Sequence, residues 1–459
     1  MSRRPSSSSP TSSPRLAKRP RLEYEPLTPD DYKNGVMLAP MVRSGSLPTR
    51  LYALKHGASL VWSPEVVDKA ILHSERVVDP VTGVVSYNGK SKAIFTTHPI
   101  EKPYLIYQIG SSDPETAIQA AKIVMQDVAG FDLNCGCPKP FSTHAGMGAA
   151  LLTNPDLLCA ILTALRQAMP PEISISAKIR LLPTQEDTLK LVERIVNTGV
   201  SALTVHCRTR NMRQKEKAVI GRLREIVEFV EGMGRGIAVI ENGDCEGYEH
   251  SHKIREMTGA HSTMIATAAE ANPTCFSPAP LVDLENTFIP SYMRLARYLG
   301  NHWSNTKFCT TQFKGIHVAG SRAGLKTFRE TIVHAKSYED MDPHIAPWTG
   351  EEVFAQIVRA LEKRSGRRHL QALPEVVLDA QQEEAKENAS ARNVLEQTIE
   401  KTPLVGEVDP TILRAPLWPA NELRIPLPAF VTGEDVPTPS PTPAPTAPRN
   451  SILFLASAT

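Results

Sequence analysis

Eight short apolar segments recur between about residue 36 and residue 266, and they constrain the fold more than any other feature. We predict that each is a β-strand: Val36–Met41, Ser59–Ser63, Tyr104–Ile109, Gly130–Asn134, Ser174–Ile179, Ala202–His206, Ile237–Glu241 and Thr263–Ala266. Most are followed by an amphipathic, helix-like stretch, such as Asp113–Val128, Thr184–Asn197, Arg222–Val230 or Tyr248–Met257. Buried strands that alternate with helices require parallel pairing with right-handed crossovers.

The strand count favours a closed barrel. Eight strand–helix units over about 250 residues are typical of an α/β fold of the (β/α)₈ TIM-barrel type. An open doubly wound sheet is the alternative, but the polar residues that follow the strands favour the barrel. The stretch Ser74–Lys102 carries turn-forming residues at Asp79-Pro80 and Tyr87-Asn88-Gly89, which predict a hairpin-like insertion before the third strand.

Composition divides the chain into four segments. We predict a disordered basic Ser/Pro-rich tail over residues 1–30, the barrel over 31–284, a helical domain over 285–370 and a mostly disordered Pro-rich tail over 371–459. The tails are too polar and too rich in proline to bury enough apolar surface for folding. Lys18-Arg19-Pro20-Arg21 in the first tail is either a nuclear-import signal or a solvated basic run.

The overall charge of +2 does not by itself indicate a nucleic-acid partner, so any basic surface must be local. The predicted helical domain supplies one, with Arg294, Arg297, Lys307, Lys314, Arg322, Lys326, Arg329 and Lys336 against few acidic residues. These cations either form a solvated face or contact phosphates beside the barrel mouth.

The cysteines and the hydropathy pattern predict the kind of cellular compartment in which the protein works. Seven scattered cysteines, an odd number, favour free thiols and a reducing environment. No apolar run approaches the roughly 18 residues needed to span a bilayer. We therefore expect a cytoplasmic or nuclear location, no membrane partner and a monomeric chain.

Polar residues stand where the predicted strands end, which is where barrel enzymes place their active sites. In chain order, the strand ends carry Ala39-Pro40-Met41, Gln108, Asn134-Cys135-Gly136-Cys137-Pro138, Lys178 with Arg180, His206 with Arg208, and Asn242-Gly243-Asp244. Such a ring of donors suits a planar, electron-accepting ring with a phosphate tail. Lys178 would stabilise the negative charge of a reduced flavin, and the amide of Gln108 matches its uracil-like edge.

Four motifs carry a resemblance to the tRNA-dihydrouridine synthase family. They are Asn134–Pro138, His144–Ala149, Ala177–Arg180 and Thr204–Arg210, in this order. The resemblance covers about Val36 to Met341. The segments Leu38–Arg43 and Asn305–Lys307 most resemble the eukaryotic branch that acts on the uridine at position 20 of the tRNA D-loop.

The resemblance implies an FMN-binding barrel, a helical domain that binds tRNA, and NADPH or NADH as the reductant. It implies flavin contacts from Pro40, Met41, Val42, Gln108, Lys178, His206, Asn242, Gly243 and Asp244, with Ala266 and Thr267 at the phosphate. It further implies substrate contacts from Asn134, Arg180, Arg208, Lys307 and Arg322.

Cys137 takes the part of the catalytic acid in this resemblance. Hydride would pass from flavin N5 to C6 of uracil, and the thiol would protonate C5 from the other face. A thiol with an ordinary pKa of about 8.5 is protonated at neutral pH, as the step requires.

The sequence departs from the family pattern at two positions. Ala266-Thr267-Ala268 stands where the family usually has an arginine between two small residues, and Cys207 replaces a glycine. Loss of that cation should weaken phosphate binding by about 1–3 kcal/mol.

Other interpretations remain open at this stage. One alternative is that Cys137 is a structural thiol. The spacing of Cys135, Cys137 and His144 fits no common zinc site, so we expect no metal. Gly232–Gly236 precedes a strand and is therefore a loop, because a dinucleotide-binding glycine motif follows one. The alternative functions are a tRNA-binding protein without catalysis, suggested by Thr267, and a small-molecule flavin oxidoreductase of dihydroorotate dehydrogenase type.

Overall fold

Eight parallel strands close into a barrel in the computed structural model of the protein, which describes residues 25–315, 322–345 and 349–364. The barrel strands are β1 (Val36–Leu38), β2 (Val61–Trp62), β7 (Leu105–Gly110), β8 (Gly130–Cys135), β9 (Ser174–Leu181), β10 (Ala202–Thr209), β11 (Ala238–Asn242) and β12 (Ser262–Ile265). The remaining strands are β3 (Val66–Val67), β4 (Glu75–Val78), β5 (Val85–Asn88) and β6 (Ala93–Thr97).

The sheet is closed because its first and last strands both find partners. β1 pairs with β12, Leu38 opposite Ile265, and β2 pairs with β7, Val61 opposite Leu105. The barrel prediction is therefore confirmed and the open-sheet alternative is wrong. The predicted strands differ from the observed ones mainly in their first and last residues. A sequence pattern shows where an apolar run lies, but it does not show which residue makes the last hydrogen bond of the sheet.

Helices follow most barrel strands and cover the outside of the barrel. They are α1 (Leu47–Lys55), α2 (Asp68–Ile71), α3 (Pro114–Val124), α4 (Pro140–Thr143), α5 (Pro155–Ala168), α6 (Gln185–Val196), α7 (Leu223–Gly232), α8 (Tyr248–Thr258) and α9 (Thr267–Ala271). Their starts agree with local chemistry, because Asp113, Asn154 and Thr184 cap α3, α5 and α6 through their side chains.

The insertion before β7 is a three-stranded antiparallel sheet in the order β4, β5, β6. The sequence predicted only its hairpin character. Phe95 packs edge-on against Tyr107 of β7, with ring centroids 4.9 Å apart, and this contact holds the small sheet against the barrel.

Helices also dominate the described residues after the barrel, as predicted. They are α10 (Ile289–Tyr298), α11 (Trp303–Gln312), α12 (Arg322–His334) and α13 (Gly350–Glu362). A Cβ atom at Gly350 would lie 2.2 Å from the carbonyl oxygen of Arg294, so α13 begins where its backbone touches α10. Within the part of the chain that the structure describes, no helix is both long and apolar enough to cross a membrane.

The predicted tails lie mostly outside the described residues, including Lys18–Arg21 and everything after Arg364. Near the end of the first predicted tail, Thr28 and Asp31 form a reciprocal capping box at the short helix Pro29–Tyr32. Residues 25–30, which the prediction assigned to the first tail, are therefore among the described residues.

A buried ion pair joins α1 to the insertion. Arg50 donates to both carboxylate oxygens of Glu101, at 3.0 and 2.6 Å, and its side chain is 1% exposed. Arg50 also donates to the carbonyls of Gly45 and Thr96, while Thr97 donates to Glu101. Every polar atom of the pair thus has a partner, which offsets the cost of removing two charges from water.

We expect Arg50→Met to lower the free energy of unfolding by about 3–5 kcal/mol, because it leaves the Glu101 carboxylate buried and unpaired. Urea denaturation followed by circular dichroism measures this change. The control is Lys190→Met, which removes an exposed pair with Glu186 on α6 and should leave the midpoint nearly unchanged. Similar midpoints for both variants would contradict the prediction.

Candidate active site

The middle of the barrel interior holds a polar layer. Gln108 Nε2 and Ser176 Oγ donate to the two carboxylate oxygens of Asp132, at 2.8 and 2.7 Å. Burial raises the pKa of Asp132 to about 6, against the lowering effect of these hydrogen bonds and of Lys178. Asp132 is not among the predicted site residues, although a charged residue within an apolar strand is a signal for one.

Above this layer, a cation lies among the ends of the strands. Lys178 Nζ donates to Asn242 Oδ1 at 2.7 Å, and Asn242 Nδ2 donates to the carbonyl of Met264 at 2.8 Å. Burial, and next Arg180, lower the pKa of Lys178 to about 8. The ammonium group is therefore still mostly charged at neutral pH, and Asn242 fixes its direction.

His206 lies beside this cation as a neutral imidazole. Burial lowers the pKa of His206 to about 2, helped by the positive charges of Lys178, Arg180 and Arg208. A neutral ring offers one donor and one acceptor instead of a second positive charge. Three predicted flavin contacts, Lys178, His206 and Asn242, are thus neighbours at one end of the barrel.

Asn134 and Arg180 shape the loop that carries Cys137. Asn134 Oδ1 accepts the N–H groups of Gly136 and Cys137, at 2.9 and 3.0 Å. Arg180 donates to the carbonyls of Gly136 and Thr209, at 2.7 and 3.1 Å. Both residues were predicted to contact substrate, and in the structure their described hydrogen bonds position the loop.

The thiol of Cys137 is partly buried beside an acidic group. Burial raises the pKa of Cys137, and the negative charge of Glu65 acts in the same direction. The backbone N–H of Lys139 and the hydroxyl of Ser142 oppose this rise. All seven cysteines are free thiols, and the described residues contain no cluster of His, Cys, Asp and Glu that could hold a metal ion.

Arg208 and Asp244 hold the loop after β10. Arg208 donates to Asp244 at 2.5 Å and to the carbonyl of Glu216 at 2.8 Å, while Asp244 also accepts the N–H of Ala218 at 2.8 Å. Arg208 is only 5% exposed, and its guanidinium also contacts His206 Nε2 at 3.4 Å. The ligand contacts predicted for Arg208 and Asp244 stay predictions, and the structure shows that the two side chains also bind each other.

The predicted phosphate end of the site lies next to the same loop. Thr267 begins α9, and its hydroxyl accepts a hydrogen bond from Gln214 at 3.0 Å. A Cβ atom at Gly243 would lie 2.6 Å from Glu241 Oε1, so any side chain there would have to displace this carboxyl group. Pro40 and Met41 are partly exposed at the end of β1, and Val42 is exposed.

The basic residues after the barrel do not all remain available to a ligand. Arg297 pairs with Glu339 and Asp342, and Arg329 pairs with Glu285 at 2.7 Å. Lys307 donates to the carbonyl of Ala335 at 2.8 Å. Lys314, Lys326 and Lys336 are exposed, and the side chain of Arg322 lies outside the described residues.

These features define a class: a (β/α)₈ barrel whose strand ends carry a buried cation, a neutral histidine and a thiol on a shaped loop. The dihydrouridine synthase (Dus) model matches residues 37–319, and the chain belongs to this family. Curated relatives include "tRNA-dihydrouridine(20) synthase [NAD(P)+]" of Schizosaccharomyces pombe, 47% identical over 319 residues, which are 68% of this chain and 64% of that protein. The chain thus spans less than two thirds of that relative.

Two further relatives extend the comparison. The Saccharomyces cerevisiae protein of the same name is 42% identical over 327 residues, 68% of this chain and 83% of that protein. A Homo sapiens protein, "tRNA-dihydrouridine(20a/20b) synthase [NAD(P)+]-like", is 31% identical over 240 residues, 52% of this chain and 69% of that protein.

We expect Arg208→Met to open the loop after β10. Charged hydrogen bonds contribute about 1.5–3 kcal/mol each, so trypsin should cleave residues 210–217 about tenfold faster or more. Mass spectrometry of timed digests locates the cuts. The control is Arg210→Met, which removes an exposed guanidinium and should leave cleavage after Arg213 unchanged. Equal rates in Arg208→Met and the wild-type protein would contradict a loop-holding role.

Proposed function

We propose that this protein is a tRNA-dihydrouridine synthase that uses FMN and NADPH or NADH to reduce the uridine at position 20 of the D-loop. The observation that carries the proposal is the placement of Cys137 on a shaped loop beside Lys178, His206 and Asn242. The names of the two fungal relatives support the reaction, the position and the nicotinamide donor.

The polar groups at the barrel mouth fit a flavin. Lys178 and His206 supply one cation and one neutral donor–acceptor, and Asn242 fixes the cation. Thr204 Oγ1 is buried and has no hydrogen-bond partner among the described residues. Thr204 lies opposite Lys178 in the pairing of β9 with β10. An unsatisfied hydroxyl beside an oriented ammonium indicates a site built for a polar ligand. FMN, when bound there, supplies the hydride for C6 of the uracil.

Lys178 has the charge that this chemistry needs. A reduced flavin carries negative charge near N1 and O2, and a nearby cation in a partly dehydrated site stabilises it strongly. Gln108 would hold the uracil-like edge of the ring, with its amide already oriented by Asp132. Pro40, Met41 and Val42 would line the mouth at the end of β1.

The phosphate would be held by main-chain donors near Gly243, Ala266 and Thr267. Arg208 already binds Asp244, the carbonyl of Glu216 and His206, so we do not assign it the part of the arginine that the family usually has after the eighth strand. Gln214 contacts Thr267, and its neighbours Arg213 and Lys215 are exposed. We propose that these two loop cations supply the missing positive charge.

Cys137 would donate the proton to C5 of the uracil. Because burial and Glu65 raise the pKa of this thiol, it is protonated at neutral pH and available as an acid. The N–H of Lys139 and the hydroxyl of Ser142 would stabilise the thiolate that remains. The target base must leave its stack to reach this depth in the barrel.

The tRNA would extend from the barrel mouth onto the helices that follow it. The exposed Lys314 and Lys336, with Arg322, would contact its phosphates. Lys307 would join them through the ammonium hydrogens that its bond to the Ala335 carbonyl does not use. Arg297 and Arg329 would instead stabilise the helices through their ion pairs. Phosphate contacts of this kind weaken as salt concentration rises.

We expect Cys137→Ala to retain bound flavin and to lower the rate of dihydrouridine formation by about 10²–10⁴-fold, the usual effect of removing a general acid. Mass spectrometry of nucleosides from a treated tRNA measures the product, and visible absorbance measures the flavin. Cys159→Ala, a partly buried thiol on α5, is the matched control. Full activity in Cys137→Ala would refute the proposed acid, and absence of flavin from the wild-type protein would favour a tRNA-binding protein without catalysis.

We expect Lys178→Met to weaken FMN binding about tenfold or more, since hydrogen bonds to charged groups contribute about 1.5–3 kcal/mol. The reduction potential of the bound flavin should fall as well, because the cation favours the reduced form. Fluorescence titration and dye-linked potentiometry measure the two effects. Lys122→Met changes an exposed lysine on α3 and should alter neither. An unchanged potential in Lys178→Met would exclude the electrostatic role.

A further inference from the structure

Glu65 lies between the end of β2 and β3, at the same mouth of the barrel as Cys137. β3 pairs with the last residues of β7, so the carboxyl group is held over that strand. A Cβ atom at Gly110 would lie 2.6 Å from Glu65 Oε1, which means that the glycine leaves room for this carboxylate. Glu65 is not among the predicted site residues, because it lies beyond the predicted end of the second strand.

Ser142 lies next to the thiol on the other side. Gly148 has a φ of +57°, and a Cβ atom there would lie 2.4 Å from Ser142 Oγ and 3.0 Å from Cys137 Cβ. The serine hydroxyl and the cysteine side chain are therefore immediate neighbours. Ser142 Oγ and Glu65 Oε1 are both buried, and neither makes a hydrogen bond of normal geometry within the described residues.

The four side chains of this cluster, Glu65, Asn134, Cys137 and Ser142, influence one another. Burial raises the pKa of Glu65, and its contacts with Cys137, Asn134 and Ser142 lower it in part. The guanidinium of Arg180 lies against the same loop, through its bond to the Gly136 carbonyl. Glu65 is still partly exposed as a residue, so it is able to exchange protons with water.

We propose that Glu65 is the positioning residue for the proton of Cys137, and that it returns a proton to this sulfur after each turnover, with Ser142 beside both groups. The proposal rests on the proposed function, because it extends the role of Cys137 as the acid. No contact between Glu65 and the substrate is required.

The proton balance is simple. As the C5–H bond forms, the S–H bond of Cys137 breaks and its electron pair stays on sulfur as the thiolate. A proton from water then passes through the Glu65 carboxylate to the sulfur, which restores the thiol and leaves Glu65 as a carboxylate again. No oxidant or reductant takes part in the return of the proton.

The first test measures the thiol without tRNA. We would follow alkylation of Cys137 by iodoacetamide from pH 6 to pH 11 with peptide mass spectrometry, since only the thiolate reacts. In Glu65→Gln the midpoint should move to lower pH, because a negative charge that raises the pKa of Cys137 is gone. In Ser142→Ala the midpoint should move to higher pH, because the hydroxyl beside the sulfur, which lowers the pKa of Cys137, is lost.

Opposite shifts in the two variants cannot arise from general unfolding, which would expose the thiol in both. Glu172→Gln, the same change at an exposed position, should give the wild-type profile. An unchanged midpoint in Glu65→Gln would overturn the proposal. This result does not depend on whether tRNA is the substrate, so it separates failure of the proposal from failure of the proposed function.

The second test follows turnover. With reduced flavin already bound, Glu65→Gln should form about one dihydrouridine per active site at close to the wild-type rate. Later turnovers should be about tenfold slower or more, the lower range of general acid–base effects. Quenched-flow sampling of tRNA nucleosides resolves the two phases. A steady-state rate equal to that of Glu172→Gln would overturn the return of the proton through Glu65.

Discussion

The closure of the barrel is the constraint on which the rest of the structure depends. Short β2 gains its second partner at Val61 and Trp62, which pair with Leu105 and Ile106 of β7. This pairing closes eight hydrogen-bonded strands into a ring and places all their carboxyl ends at one mouth. Without it, Glu65 after β2 and Cys137 after β8 would have no reason to meet.

Desolvation then sets the chemistry of the mouth. The same burial keeps the thiol of Cys137 protonated, keeps His206 neutral and lowers the pKa of Lys178 to about 8. Each effect has the sign expected when a charged form loses water. The result is a site in which cations, a neutral imidazole and a protonated thiol lie at one mouth of the barrel.

Several cations have hydrogen-bond or ion-pair partners that the sequence did not predict. Arg208 was predicted to contact a ligand, and in the structure it also holds the loop after β10 through Asp244 and Glu216. The sequence places Arg297 in a basic segment, but Glu339 and Asp342 pair with its guanidinium and balance its charge. A sequence lists charges in chain order, whereas these ion pairs join residues 36 to 45 positions apart.

The sequence by itself determined the barrel, because apolar runs and amphipathic stretches report burial locally, and it determined the motif around Cys137. It also predicted that Lys178, His206 and Asn242 gather at one end, since strand ends meet in any closed barrel. Only the tertiary structure decided that Glu65 and Ser142 flank the thiol and that Asp132 lies buried beneath the cation. Those contacts depend on packing between strands and loops that are far apart in the chain. The periodicity of apolar residues reports only local burial, so it does not predict which distant residues meet.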